Sequence, residues 1–284
     1  MSVESSISRR RFLSRAAAGL AATALPAAAL AVPAISPSNP RLRGVQLYTL
    51  RELMAQSVER TLEQVAAAGY RQVEFAGLFG HSPAVLRRWL ADLDLSAPAS
   101  HFPQEVLEAD IEQALDTAVA LGNRYLVLPW LDAHRRTLAD YQRLVENLNR
   151  WGARCQEAGL RLAYHNHDFE FVATEGVIPY QLLLEHTDPQ LVFFELDTYW
   201  MHRAGQQPLA LFERYPGRFP LWHLKDATAD GAITEVGQGV IDFSRLLHSA
   251  RQAGLEYGFV ERDDADNPLD SIRQSFAALR RWHV

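Results

Sequence analysis

The sequence predicts a single-domain (β/α)8 barrel, an α/β fold, on three observations. From Arg43 onward, eight short apolar runs alternate with longer amphipathic ones. Several amphipathic runs end on a glycine just before the next apolar run, where a helix C-cap belongs. Charge then collects at the C-terminal ends of the apolar runs, the face on which such barrels carry their chemistry.

The expected strands are Gly44–Tyr48, Gln72–Phe75, Leu95–His101, Tyr125–Pro129, Leu160–His165, Val192–Asp197, Pro220–Lys225 and Tyr257–Glu261. They are apolar on both faces because helices cover one side and the barrel interior fills the other. Helical periodicity falls near Val58–Ala68, Pro83–Asp92, Glu105–Leu121, Thr137–Ala158, Pro179–His186, Leu209–Tyr215, Phe243–Ala253 and Leu269–Trp282. Gly69, Gly122, Gly159 and Gly254 mark four of their ends. No Gly-rich phosphate loop follows the first strand, which argues against an open, doubly wound sheet.

Residues 43–284 are therefore expected to form the barrel, after a leader over residues 1–31 and a linker over 32–42 carrying Pro33, Pro37 and Pro40. Ser8-Arg9-Arg10-Arg11-Phe12-Leu13 precedes an alanine-rich apolar run that closes on Ala29-Leu30-Ala31. Adjacent arginines before a modest apolar segment and a small-x-small cleavage site read as a twin-arginine signal, so the protein is expected in the periplasm. The run is too short and too alanine-rich for stable membrane insertion. The single cysteine, Cys155, excludes an intrachain disulfide.

Losing residues 1–31 removes four arginines and one glutamate, taking the net charge from −6 to −9. An acidic surface repels phosphate backbones, so nucleic acid is not expected as a partner. A small sugar is, while homo-oligomerisation is left open.

The polar ring comprises Gln46, Tyr48, Glu74, His101, Trp130, His165, His167, Glu195, Asp197, His223, Lys225 and Glu261. Asp197, His223 and Glu261 end three successive strands. Each alone would serve as a helix cap or an ion-pair partner. Together they make a ligand set for one divalent ion, Mn²⁺, Zn²⁺, Mg²⁺ or Co²⁺, without choosing among them. By strand periodicity His165 and His167 point the same way, and His165 is either the fourth ligand or a general base. Glu170, beyond that strand, either reaches the metal or orients a histidine. Lys225 lies on the face of His223, where an ammonium holds a substrate oxygen or stabilises an enolate. Tyr48, Trp130 and Trp200 are candidates for stacking on a sugar ring. His101, His167, Glu170 and Glu195 complete the candidate substrate-facing set. Glu235–Gly239 is glycine-flanked, either a flap over the site or an ordinary turn.

Five motifs, Gly44–Arg51, Tyr164–Phe171, Glu195–Thr198, His223–Asp226 and Val236–Gly239, resemble the xylose isomerase-like TIM-barrel family, in particular its sugar phosphate isomerase/epimerase branch. The resemblance runs from about Gly44 to the C-terminus. It implies a divalent metal held by Asp197, His223 and Glu261, and proton transfer at a carbon beside a sugar carbonyl. Where it implies a fifth-strand glutamate that binds metal and shuttles a proton, this chain has His165. That substitution favours one-base chemistry, with His165 removing the proton and a metal-bound oxyanion holding the enediolate, and with Glu261 and Lys225 as the other candidate catalytic residues. The intermediate is then either reprotonated (isomerisation or epimerisation) or loses a β-substituent, the lyase outcome expected for a 3-keto-glycoside or related keto-sugar. A leader for export favours the lyase on unphosphorylated substrates. A non-catalytic sugar-binding protein is the competing reading of another class, and an acidic surface disfavours a nuclease.

Overall fold

The computed structural model describes residues 41–282; the expected leader and most of the expected linker lie outside them. Besides a small antiparallel pair, Asp226–Ala227 with Ile233–Thr234, eight barrel strands follow in chain order: β1 (Arg41–Gln46), β2 (Gln72–Phe75), β3 (Ser96–His101), β4 (Tyr125–Leu128), β5 (Arg161–His165), β6 (Val192–Asp197), β7 (Leu221–Leu224) and β8 (Tyr257–Val260). Each pairs in parallel with its neighbours in the chain, and β8 pairs back onto β1, closing the barrel. The predicted fold class is the one observed.

Local chemistry sets where elements begin and end. The longest helix, Leu138–Glu157, starts on a capping box in which Thr137 and Asp140 satisfy each other's backbone N–H groups. Gly69 and Gly122 end their helices at φ 105° and 88°, left-handed values that a side chain resists.

Several boundaries differ from expectation. The first strand starts at Arg41, inside the expected linker, and stops at Gln46. The Gln46 side chain accepts the Tyr48 N–H at 3.0 Å and turns the chain into a 3-10 helix, Leu47–Leu50, which takes Tyr48 off the strand. The helix expected over Glu105–Leu121 is two, Gln104–Ala109 and Ile111–Leu121, because Asp110 leaves helical geometry to cap Gln113. The one expected over Phe243–Ala253 likewise breaks at Ser249. A short helix not anticipated, Thr198–Arg203, follows β6 directly. No helix among the described residues is long and apolar enough to cross a membrane.

Two apolar cores result. The larger packs the outward strand residues, such as Leu162, Phe194 and Trp222, against the helices. The smaller fills the lower barrel interior with Ala99, Tyr125, Val127, Ala163, Leu221, Tyr257 and Phe259, and Phe193 packs against it. Side chains alternate along a strand, so the residue two positions on points inward again, one layer higher. Phe193 is thus followed by Glu195 and Asp197, Leu221 by His223 and Lys225, Phe259 by Glu261, and Ala163 by His165. A floor of apolar side chains therefore carries two layers of polar ones.

Candidate metal centre

The upper polar layer gathers His165, Asp197, His223 and Glu261. Each presents one ligand atom, all four atoms lie within 4.8 Å of one another, and all four residues are buried. Asp197 and His223 occupy one rung of the β6–β7 ladder. His223 Nδ1 is 2.9 Å from Glu261 Oε2 and 3.8 Å from Asp197 Oδ2. Asp197 divides its carboxylate: Oδ1 accepts the Trp200 N–H at 2.9 Å and caps helix Thr198–Arg203, while Oδ2 has no hydrogen-bond partner. His165 Nδ1 is likewise unpartnered. Buried polar atoms rarely go unsatisfied, and although His165 Nδ1 lies 3.4 Å from Glu195 Oε2, one ligand atom from each of the four residues falls within the same small volume, so the donor set fits a divalent ion.

Backbone tethers hold the set. The Asp197 N–H donates to Asn166 Oδ1 at 3.1 Å, joining the ends of β5 and β6. The Thr198 hydroxyl sits 3.0 Å from the His223 carbonyl and 2.8 Å from that of Lys225, and accepts the Lys225 N–H at 3.0 Å, pinning β6 to β7.

Lys225 brings an ammonium to this layer. Its Nζ, buried with the rest, lies 2.6 Å from Asp263 Oδ2, 3.1 Å from Glu261 Oε2 and 3.7 Å from Asp197 Oδ2. Burial alone would depress this ammonium, but Glu261, Asp197 and Asp263 outweigh it and raise its pKa. Burial likewise opposes the charged form of His223, yet Glu195 and Glu261 hold that imidazole well above its usual range. Asp197 is pushed up to about 7 by burial. Burial, with His223 alongside, takes His165 down to about 4, so its imidazole stays neutral, the form that ligates metal.

Above the layer opens a cavity of about 530 Å³ lined by Tyr48, His101, Trp130, His165, His167, Trp200, Lys225, Glu261 and Asp263, among others. Tyr48 and Trp130 are each about half exposed at its rim. Of the candidate substrate-facing residues, Tyr48, His101, His167 and Trp200 line it, whereas Glu170 and Glu195 do not. Glu170 is fully buried: its carboxylate accepts the Tyr164 O–H at 2.5 Å and the His167 N–H at 2.9 Å, and so fixes the backbone that carries His167. Glu195 lies one layer below, 3.1 Å from His223 Nε2.

Glu235–Gly239 forms no flap over the cavity. Asp226, buried beside Lys225, accepts the N–H groups of Gly237, Gly239 and Ile241, and a Cβ at Gly239 would fall 2.2 Å from the Ala227 carbonyl. Asp263 was missed by sequence reading. It lies beyond the last strand, where no periodicity marks it, and its one signal was an Asp-Asp pair close behind Glu261.

Comparisons with known proteins agree with this fold. The chain is 29% identical over 270 residues to the inosose dehydratase of Geobacillus kaustophilus, covering 80% of this chain and 86% of the relative. It is 25% identical over 255 residues to that of Lacticaseibacillus casei, covering 75% and 85%. A sugar phosphate isomerase/epimerase from Parabacteroides distasonis superposes with a TM-score of 0.74 at 26% identity, covering 88% of this chain and 98% of that one. Residues 38–282 match the profile described as xylose isomerase-like TIM barrel, and the chain belongs to that family.

Proposed function

We propose that the protein is a metal-dependent lyase that removes the proton beside the carbonyl of an unphosphorylated keto-sugar or keto-cyclitol and expels a β-oxygen substituent. The observation that carries this reading is the 3.1 Å approach of Lys225 Nζ to Glu261 Oε2, with both residues among those lining the cavity. A carboxylate and an ammonium side by side make an acid–base pair that acts on one face of a substrate. Glu261 takes the proton from carbon, the C–H electrons form the new double bond as the β C–O bond breaks, and Lys225 gives its proton to the departing oxygen. Water or an alcohol leaves with an enone, and the proton on Glu261 passes across 3.1 Å to restore Lys225. Epimerisation instead needs proton carriers on opposite faces, and the fifth strand offers His165, which this reading assigns to the metal.

A divalent ion held by His165, Asp197, His223 and Glu261 would supply Lewis acidity toward the substrate's carbonyl. Trp130, Trp200 and Tyr48 offer apolar ring faces to a sugar-sized molecule. Lys225 is the one lysine or arginine among the residues lining the cavity, and it is committed to carboxylates, which supports an unphosphorylated substrate. The curated relatives named inosose dehydratase support a lyase. The similarity to a sugar phosphate isomerase/epimerase favours the second reading, isomerisation or epimerisation through the same enolate.

The deciding experiment incubates metal-loaded protein with a panel of keto-cyclitols and 3-keto-glycosides in D₂O, followed by NMR. Vinyl signals with release of water or aglycone are expected. Deuterium in recovered substrate with no new double bond would replace the lyase with the isomerase. Export by the twin-arginine route to the periplasm belongs to the same proposal. Arg9→Lys with Arg10→Lys should leave uncleaved protein inside the cell, and unchanged periplasmic recovery would remove it.

A further inference from the structure

The lower polar layer is itself a second ligand cage. Glu74, His101, Glu195 and His223, from β2, β3, β6 and β7, each present one ligand atom, and these four atoms lie within 4.8 Å of one another. Glu74, Glu195 and His223 are buried, and His101 is half-buried at the cavity wall. His223 takes part in both layers through opposite ring nitrogens. Its Nδ1 faces Glu261, while its Nε2 lies 2.8 Å from Glu74 Oε2 and 3.1 Å from Glu195 Oε2.

Support for His223 does not account for this arrangement. Holding a metal-bound imidazole in place takes one acceptor for its outer N–H. Here two buried carboxylates converge on that single nitrogen, and His101 Nε2 joins them at 3.2 Å from Glu195 Oε2 and 3.5 Å from Glu74 Oε1. Neither Glu74 Oε1 nor Glu195 Oε1 has a hydrogen-bond partner, and Glu74 Oε1 is turned toward His101 within the cluster. In the metal-free protein the imidazoles of His101 and His223 balance the two carboxylates, and Glu74 Oε2 also accepts the Gln46 amide at 2.9 Å, so a cation entering here takes the place of the imidazole protons. The spacing suits one. Four ligands about 2.1 Å from a tetrahedral ion stand roughly 3.4 Å apart; Glu195 Oε2 lies 3.1 and 3.2 Å from the two imidazole nitrogens, and Glu74 reaches His223 with Oε2 at 2.8 Å and His101 with Oε1 at 3.5 Å. A shift of a few tenths of an ångström would seat the ion.

We infer that Glu74, His101, Glu195 and His223 Nε2 bind a second divalent cation of the zinc or cobalt type beneath the first. Two imidazoles and two carboxylates suit those ions, and His101, which lines the cavity, gives the route of entry. With both sites filled, His223 would offer Nδ1 to the upper ion and Nε2 to the lower, giving up its ring protons to do so. The upper site keeps three ligands of its own, so the two can be separated experimentally.

The test titrates Co²⁺ into chelator-stripped protein, with calorimetry for stoichiometry, elemental analysis after desalting, and the visible spectrum for ligand geometry. Wild type should bind two equivalents. Glu74→Gln with Glu195→Gln should bind one, retaining the spectrum of the upper ion, and Asp197→Asn should keep the lower ion while losing the upper. His101→Ala, at the cavity edge, is the second route should the double variant fail to fold, and it too should drop from two equivalents to one. Wild type saturating at one equivalent overturns the inference, as does a folded double variant that binds none. One equivalent that Asp197→Asn abolishes would leave the proposed lyase chemistry standing while removing the lower site.

Discussion

His223 Nδ1 and Glu261 Oε2 stand 2.9 Å apart across the β7–β8 seam, two groups 38 residues apart in the chain. Both belong to the proposed ligand set, so a cation entering between them must take the place of a proton. His223 is held protonated by Glu195 and Glu261 against the effect of burial, and Asp197, raised to about 7 by burial, carries a second proton near neutrality. His165, at about 4, contributes none above mildly acidic pH. Metal affinity should therefore fall by about tenfold or more for each pH unit below neutral. Competition against a chelator from pH 5.5 to 7.5 measures it, and a flat profile would separate His223 from the metal. Asp197→Asn should weaken binding at least about 100-fold at every pH.

Lys225 and the proposed ion share Asp197 and Glu261 as partners. Lys225→Met should lower kcat by about 10²–10⁴, the ordinary worth of a positioned proton donor, while metal is bound at least as tightly because a competing positive charge is gone. Loss of metal along with turnover would reduce Lys225 to a structural cation. In the metal-free state the same substitution strips a buried cation from three carboxylates, at a cost of about 3–5 kcal/mol. Its melting temperature should consequently recover on adding metal.

How legible was all this in the sequence? The barrel was, because most strands carry a short apolar run and several boundaries a glycine or cap that reads locally. The polar ring was legible for the same reason, since charge at the end of an apolar strand is conspicuous. Depth within the barrel was not. Glu195 and Asp197 share a face two residues apart, and periodicity gives that face but not that Glu195 lies in a lower layer with Glu74 and His101. The register between distant strands decides this, and it is fixed only on closure. Glu170 shows the complementary limit. A carboxylate after a His-x-His strand end resembles a ligand, but the length of the following turn brings it back under His167 instead. Asp263 belongs to the loop beyond β8, where only the fold shows that it meets Lys225 at 2.6 Å.

Trp130 stands at the cavity rim with 48% of its surface exposed, its ring 4.5 Å from that of His167. About half of its surface is buried, against His167, Phe169 and Arg136, so Trp130→Ala should cost about 1 kcal/mol of stability without unfolding the protein. Loss of a stacking face for the substrate should raise KM roughly tenfold with kcat within about twofold. Steady-state kinetics with the substrate found by NMR check this split. An unchanged KM would place the sugar against Trp200 and Tyr48 instead.

Glu170 offers a test of the frame around the site that needs no substrate. Burial raises its carboxyl to about 7 from an ordinary 4.5, outweighing the Tyr164 O–H and His167 N–H that favour the anion. A folded-state pKa above the unfolded one means that the fold prefers the protonated acid. The group's stabilising contribution is thus complete below about pH 4.5 and is lost as pH rises through about 7. Across that window the loss amounts to roughly 3 kcal/mol. Glu170→Gln keeps acceptors for Tyr164 and His167 but cannot ionise, so its stability relative to wild type should climb by about that amount between pH 4.5 and 7. Urea unfolding at a series of pH values reads the difference directly. Parallel curves would mean that Glu170 is already ionised in the fold, and that the turn carrying His167 is held by charge instead of by a neutral acid.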